Sequence, residues 1–339
     1  MNILVTGAAG FIGFHTVKNI LTKYKKIKVY GIDSLNNYYD KKLKIDRLKE
    51  LNKIFKSKFN FSKVDISNKK KIFKLFKNKK FHTVINLAAQ AGVRYSFTNP
   101  EAYFNSNLRG FFNILEASKK FKVKHLISAS TSSVYGINDF TKFSTKVSTG
   151  HPIQFYAATK RSNELMGHSY SYINNLPITF LRFFTVYGPW GRPDMSLFLF
   201  VKNIINNKPI FINNKGNHSR DFTYVDDITD GVIKVLKKIP KKNKKWNPKS
   251  LDQSSSVAPF KIINLGNGKR IKLMKYVNLI EKKLGKKAKV IFKGMQKGDI
   301  KDTLSDLNDT KKYISYKPKT KINKGISNFI DWYKSYYKK

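Results

Sequence analysis

A chain of 339 residues is long enough for two packed cores, or for one large domain carrying a lobe. The absence of cysteine excludes a disulfide framework, a thiol nucleophile and a thiolate metal site. A net charge of +46 would suit a polyanion, but the excess is nearly all lysine spread along the chain, which argues against a specific nucleic-acid reader. No run of about 18 apolar residues occurs, so no membrane span is expected. The N-terminus leads straight into a strand pattern without the layout of a signal peptide, and the expected location is cytoplasmic.

In chain order, residues 2–5 form a short apolar run that reads as a buried strand, and Gly7-x-x-Gly10-x-x-Gly13 follows at once. Glycines there permit a tight turn and let backbone N–H groups approach a pyrophosphate. The helix predicted over 11–24 opens at Phe11 and Ile12 and turns its positive end toward that anion. A second strand, 28–33, ends in Asp33. An acid there accepts hydrogen bonds from the adenosine ribose hydroxyls and repels a 2′-phosphate, which selects NAD. A helix over 40–56 precedes a strand over 59–64 that sets Asp65 near the adenine, and another helix spans 69–78. The fourth strand, 83–88, carries Leu87 and Ala88, which with Ala89 close over the dinucleotide.

A helix over 101–120 and a strand over 124–129 follow. That strand delivers the hydroxyl cluster Ser130-Thr131-Ser132-Ser133, able to bond a substrate hydroxyl and its developing oxyanion. The next helix, 153–174, begins with Tyr156 and Lys160, one turn apart on one face. A free tyrosine titrates at about 10, a neighbouring cation lowers that value, and a proton-shuttling tyrosine becomes usable. Further strands are expected at 177–183 and 261–265. The alternation gives an α/β fold: a Rossmann-type, doubly wound parallel sheet with a smaller C-terminal substrate-binding lobe. Residues 1–185, joined by parts of 222–268, are assigned to the NAD-binding domain and 186–339 mainly to the lobe. Residues 237–256, rich in lysine and serine, read as a solvated surface loop.

Gly7-x-x-Gly10-x-x-Gly13, Asp33, Asp65, the stretch from Ser130 to Gly136 and Tyr156-x-x-x-Lys160 together resemble an extended short-chain dehydrogenase/reductase of the NAD-dependent epimerase/dehydratase family, over nearly the whole length. Three longer stretches, Asp33 to Asp40, Ala88 to Ser96 and Arg182 to Met195, are similar to the UDP-glucuronate 4-epimerases within it. The resemblance implies tightly bound NAD, held also by Asn36, Ile66, Asn107, Ala129 and Phe184. It implies that Tyr156 takes the proton from the sugar 4-hydroxyl as hydride leaves C4. Thr131 shares that hydroxyl, and Lys160 holds the nicotinamide ribose and lowers the tyrosine pKa. The 4-keto sugar then turns about its diphosphate and takes hydride back on the other face, interconverting UDP-glucuronate and UDP-galacturonate.

On the substrate side the resemblance implies Gln90, Thr131, Ser132, Ser133 and Thr185 at the sugar, with Arg192 and Arg220 as forks for the diphosphate. Asp299 matches an acid near the UDP ribose, an exposed turn carboxylate being the other reading. Arg94 either reaches the substrate or makes a salt bridge. The six histidines lack metal-ligand spacing, so no metal is expected. A UDP-glucose or UDP-N-acetylhexosamine 4-epimerase remains open, although asparagine usually stands there in place of Thr185. A UDP-glucuronate decarboxylase, which shares the 4-keto intermediate, also remains open. Dehydration is disfavoured, because Ser132-Ser133 stand where dehydratases carry an Asp-Glu pair. A polyanion-binding protein on a nucleotide fold is the non-enzymatic alternative. Two departures stand out: Phe143-Ser144-Thr145-Lys146 within 139–150, where an acidic pair is usual, and Ser34 in place of an asparagine. Helices 101–120 and 153–174 carry aromatic and apolar residues on more than one face (Phe104, Phe111, Phe112, Met166 and Tyr170), and the resemblance implies a homodimer through this pair, unless a monomer buries them.

Overall fold

The computed structural model describes residues 1–137, 142–249 and 252–339. Its strands are β1 (Asn2–Thr6), β2 (Lys28–Asp33), β3 (Phe59–Lys63), β4 (Thr83–Asn86), β5 (His125–Thr131), β6 (Ile178–Phe183), β7 (Thr185–Tyr187), β8 (Ile210–Ile212), β9 (Ser219–Tyr224), β10 (Phe260–Leu265), β11 (Arg270–Lys272) and β12 (Val290–Phe292). Seven of them form one parallel sheet in the order β10-β6-β5-β4-β1-β2-β3. Ile3 and Val5 enter one core with Val29, Ile85, Ile127, Leu181 and Ile263. Leu4 enters the other, with Ile32, Val84, Leu126, Phe180 and Ile262. Successive side chains point to opposite faces of a strand. Both faces are covered by helices here, which is why an inner strand such as β1 reads as an unbroken apolar run, while the edge strand β3 does not.

Helices Phe11–Lys23 and Val225–Leu236 cover the first face through Phe14, Val17, Ile20, Ile228 and Val232. Helices Lys69–Lys79 and Gly110–Lys120 cover the second through Ile72, Phe76, Phe111 and Ile114. The helix expected over 101–120 is divided: a turn at Pro100–Tyr103 passes into a π-helical turn at Phe104–Arg109 before the α-helix resumes. Such turns often mark functional positions, and this one carries the buried Asn107.

A third core holds the lobe together. Tyr187, Phe198, Phe222, Tyr276, Phe329 and Tyr333 are buried in it, and the Phe222 and Tyr276 rings stack 4.1 Å apart. Its framework is the three-stranded sheet β11-β9-β7 and the parallel pair β12-β8. The chain returns to the large sheet through the helix Val225–Leu236 and β10. It returns again further on: Leu307, Ile314 and Tyr316 are buried in the first core, a segment outside the expected 222–268. The expectation of a wholly solvated loop over 237–256 is corrected. Among its described residues no helix or strand forms, yet Ser254 and Ser256 are buried. Ser256 Oγ meets His168 Nε2 at 2.8 Å and Ser254 Oγ donates to Asp309 at 3.1 Å, so polar pairing helps dock this lysine- and serine-rich stretch. Among the described residues no helix is long and apolar enough to cross a membrane.

Candidate active site

The carboxyl ends of β1, β2, β4 and β5 open onto one cleft, as the ends of parallel strands do in such sheets. Gly7, Gly10, Phe11, Ile12 and Gly13 form its floor. Gly7 has φ +70°, and a Cβ on it would stand 2.8 Å from the Ala88 nitrogen. A Cβ on Gly13 would overlap the Gly7 carbonyl oxygen. The turn is therefore packed backbone to backbone, with its upper side bare of side chains. Gly13→Ala is expected to lower stability by about 1–3 kcal/mol through overpacking, read from the urea midpoint.

Asp33 ends β2 in the same cleft. Burial pushes its carboxyl above the usual carboxylate range, against the Leu35 N–H bond at 2.8 Å and the charges of Lys44 and Arg47. Asn36, Asp65, Ile66, Leu87, Ala88, Ala89, Gln90, Ala129, Thr131, Tyr156, Lys160, Phe184 and Arg192 complete the predicted part of the lining. A bare glycine turn, a helix N-terminus and an acid at the end of β2 suit a dinucleotide of the NAD type.

Asn107 stands behind the wall. Its side chain accepts from the Gln90 N–H at 2.8 Å and donates to the Gln90 carbonyl at 3.1 Å and to Thr159 Oγ1 at 3.0 Å. The loop after β4 is thereby fixed to the helix Phe155–Asn174, between Tyr156 and Lys160. Lys160 is buried and donates to the Ala129 carbonyl at 2.8 Å. Burial pulls its ammonium down to about 8, opposed by the charge of Glu164. Burial pushes the Tyr156 phenol up, and the Thr131 hydroxyl and the Arg192 charge pull against that. The expected acidification of the phenol by Lys160 is corrected: burial outweighs the pull of Thr131 and Arg192, and the Lys160 ammonium bonds the Ala129 carbonyl on β5.

Ser132 and Ser133 follow Thr131 in a 3-10 turn, and the Thr131 hydroxyl donates to Ser133 Oγ at 3.3 Å. Thr185 lines a smaller adjoining cavity that shares Arg192 and Met195 with the main cleft. Arg192 is held by Asp194 at 3.0 Å and 2.5 Å, and Asp194 accepts from the Tyr38 hydroxyl at 3.0 Å. Arg94 and Asp299, each left with two readings, pair with one another at 3.3 Å. Arg220 lies apart from the main lining and donates to the Ser219 and Lys301 carbonyls at 2.9 Å and 2.8 Å. Part of the 139–150 flap lies outside the described residues; Phe143 is buried beside Tyr135 and Phe184. Among the described residues no three His, Cys, Asp or Glu gather in a way that could hold a metal ion.

Tyr38, Tyr39, Lys44 and Met195 line the cleft without having been expected. Lys44 donates to the Asn36 carbonyl and side chain at 2.8 Å and 2.7 Å, and burial pulls its ammonium down. The sequence held one usable signal: Lys44 and Arg47 share a face with Leu43, Leu48 and Leu51 on a helix whose remaining lysines are exposed.

A model of the NAD dependent epimerase/dehydratase family matches residues 3–247. A Staphylococcus aureus protein named CapI is 49% identical over the full length of both chains. A probable UDP-glucuronate 4-epimerase of Rhizobium meliloti (strain 1021) is 39% identical, covering 100% of this chain and 98% of its own. The crystal structure of the Bacillus cereus UDP-glucuronic acid 4-epimerase with UDP-glucuronic acid and NAD aligns with a TM-score of 0.88. That alignment covers 99% of this chain and 100% of the other, at 33% identity.

Proposed function

The chain belongs to the NAD dependent epimerase/dehydratase family, and we propose that it is an NAD-dependent 4-epimerase interconverting UDP-glucuronate and UDP-galacturonate. The observation that carries this reading is the convergence of Thr131, Tyr156 and Lys160 with a dinucleotide-type glycine turn and Arg192 in one cleft. Bound NAD would supply the oxidant for the sugar C4 and the reductant that restores it. Gly7, Gly10, Gly13, Asp33 and Lys160 would hold it.

The chain's own residues handle the proton and the orientation. Tyr156 takes the O4 proton during oxidation and returns it when the opposite face is reduced, as general acid–base catalysis requires. The Thr131 hydroxyl steadies that oxygen. Lys160, fixed to β5, places a cation beneath the cleft. The neutral hydroxyls of Thr131, Ser132, Ser133 and Thr185 suit a sugar carboxylate, and Arg192 and Arg220 suit the diphosphate. Arg192 exchanges Asp194 for the substrate anion as the sugar nucleotide enters.

Purified protein is expected to convert UDP-glucuronate to UDP-galacturonate without added NAD, followed by anion-exchange separation of the products. A UDP-pentose would instead mark a decarboxylase. No turnover of any UDP-sugar would remove the enzymatic reading.

The proposal extends to a homodimer. Phe111 is buried, but Phe104, Phe112, Leu165, Tyr172 and Ile173 remain exposed on the two outer helices and their π-turn. An apolar face of that kind marks an interface. Light scattering during gel filtration is expected to give twice the chain mass, and Leu165→Glu with Phe112→Glu to halve it.

A further inference from the structure

We infer that Arg47 is a positioning residue for the anionic ligands of this cleft: a buried cation that ties the glycine turn to the turn carrying Arg192. The inference rests on the reading that NAD and a UDP-sugar share the cleft.

Arg47 lies on the helix Lys41–Phe55 and is fully buried. Its Nη1 donates to the Ala9 carbonyl at 2.9 Å, inside the glycine turn, and to the Tyr39 hydroxyl at 2.7 Å. Its Nη2 donates to the Trp190 carbonyl at 2.6 Å and the Gly191 carbonyl at 3.4 Å. Those two carbonyls immediately precede Arg192. One planar fork therefore sets the dinucleotide turn and the base of the substrate arginine together, and an ammonium on a flexible stem lacks that shape.

The charge is a second and separate observation. Arg47 and Arg182 are both fully buried. Glu164 holds Arg182 through two bonds at 2.9 Å and 2.8 Å, and Asp194 holds Arg192. Among the described residues no carboxylate pairs with Arg47, all its acceptors are neutral, and its Nε has no partner. Asp33 feels its charge but accepts from the Leu35 N–H instead. A buried cation is costly unless an anion balances it. Ala9, which accepts its Nη1, belongs to the turn whose N–H groups receive a pyrophosphate in the reading above. The bound dinucleotide is thus the anion that this guanidinium serves, from behind the turn.

The test uses the holoenzyme as isolated, with Arg47→Met and Arg47→Lys beside the natural protein. Three quantities are read: the rate at which NAD is released into an NAD-consuming trap, the Kd of UDP as probe, and the urea midpoint. Arg47→Met is expected to release NAD at least about tenfold faster, a change of one decade in binding. Arg47→Lys keeps the charge and holds NAD within about threefold, but it cannot span both turns, so UDP binds at least about threefold more weakly. A lowered urea midpoint with unchanged NAD release and unchanged UDP binding in both variants would make Arg47 a packing residue and overturn the inference. Where Arg47→Met yields no folded protein, Arg47→Lys decides: weakened UDP binding supports the link, and natural UDP binding refutes it. A natural protein that holds no NAD refutes the functional reading itself, a different result from either.

Discussion

Tyr156→Phe is expected to lower turnover of UDP-glucuronate by about 10²–10⁴-fold, the usual contribution of a positioned proton-transfer group, while NAD stays bound. The reasoning is local. The substitution deletes one oxygen and keeps the ring, which packs edge-on against Tyr103 with centroids 6.0 Å apart. The glycine turn, Asp33 and the Lys160–Ala129 bond all lie on other atoms, so the dinucleotide site keeps its shape. What disappears is the acceptor for the O4 proton. Thr131 is near but, as an ordinary alcohol, remains far weaker as a base. The measurement pairs single-turnover product formation with the absorbance of NAD released on denaturation. Activity near that of the natural protein, with NAD present, would refute the base assignment. Loss of NAD together with activity would instead mean that the ring supports the cofactor seat.

The parts of this fold that were legible in the sequence are those fixed by local pattern. The inner strands of the large sheet announce themselves because both their faces are buried, so Ile3, Leu4 and Val5 stand in succession without a polar break. The glycine turn is legible because close backbone approach allows no other residue at Gly13. The lobe was expected, but its internal strands were not legible, for a physical reason. β8 and β12 are three residues each and pair across about eighty positions, so neither carries enough alternation to be seen alone. Lys44 and Arg47 were not singled out in the sequence. Lys41 to Lys53 looks like a solvated lysine-rich helix, and only the tertiary partners Asn36, Ala9 and Trp190 turn Lys44 and Arg47 inward. Arg94 and Asp299 lie some two hundred positions apart, and nothing local could have paired them. The acidifying role given to Lys160 followed from helix spacing and from the family resemblance. Spacing fixes which face a residue shares and not which carbonyl, here Ala129, captures it.

The second large effect is structural. Glu164→Gln is expected to cost about 3–5 kcal/mol, the usual penalty for leaving one member of a buried ion pair alone. Glu164 is fully buried on the helix that carries Tyr156 and Lys160. It accepts two bonds from Arg182, one from Arg161 at 3.0 Å and one from Ser130 Oγ at 2.6 Å. Lys160 bonds Ala129 and Glu164 bonds Ser130, so successive turns of the helix grip successive residues of β5. Burial alone would raise this carboxyl, but the Arg182 charge and bonds, with Arg161 and Ser130, outweigh it and hold the group below the usual range. The sign for pH follows. A depressed carboxyl stabilises the fold above its unfolded value of about 4.3, and that stability is lost as pH falls through the lower folded value. Urea unfolding at pH 7 and across the acid range reads both effects. The Glu164→Met, Arg182→Met pair removes both charges together, so it should regain much of the stability lost by Glu164→Gln and show a flatter acid limb. If Glu164→Gln unfolds at the natural urea midpoint, or the double variant is the less stable of the two, the Glu164–Arg182 pair is not what fastens the catalytic helix to β6.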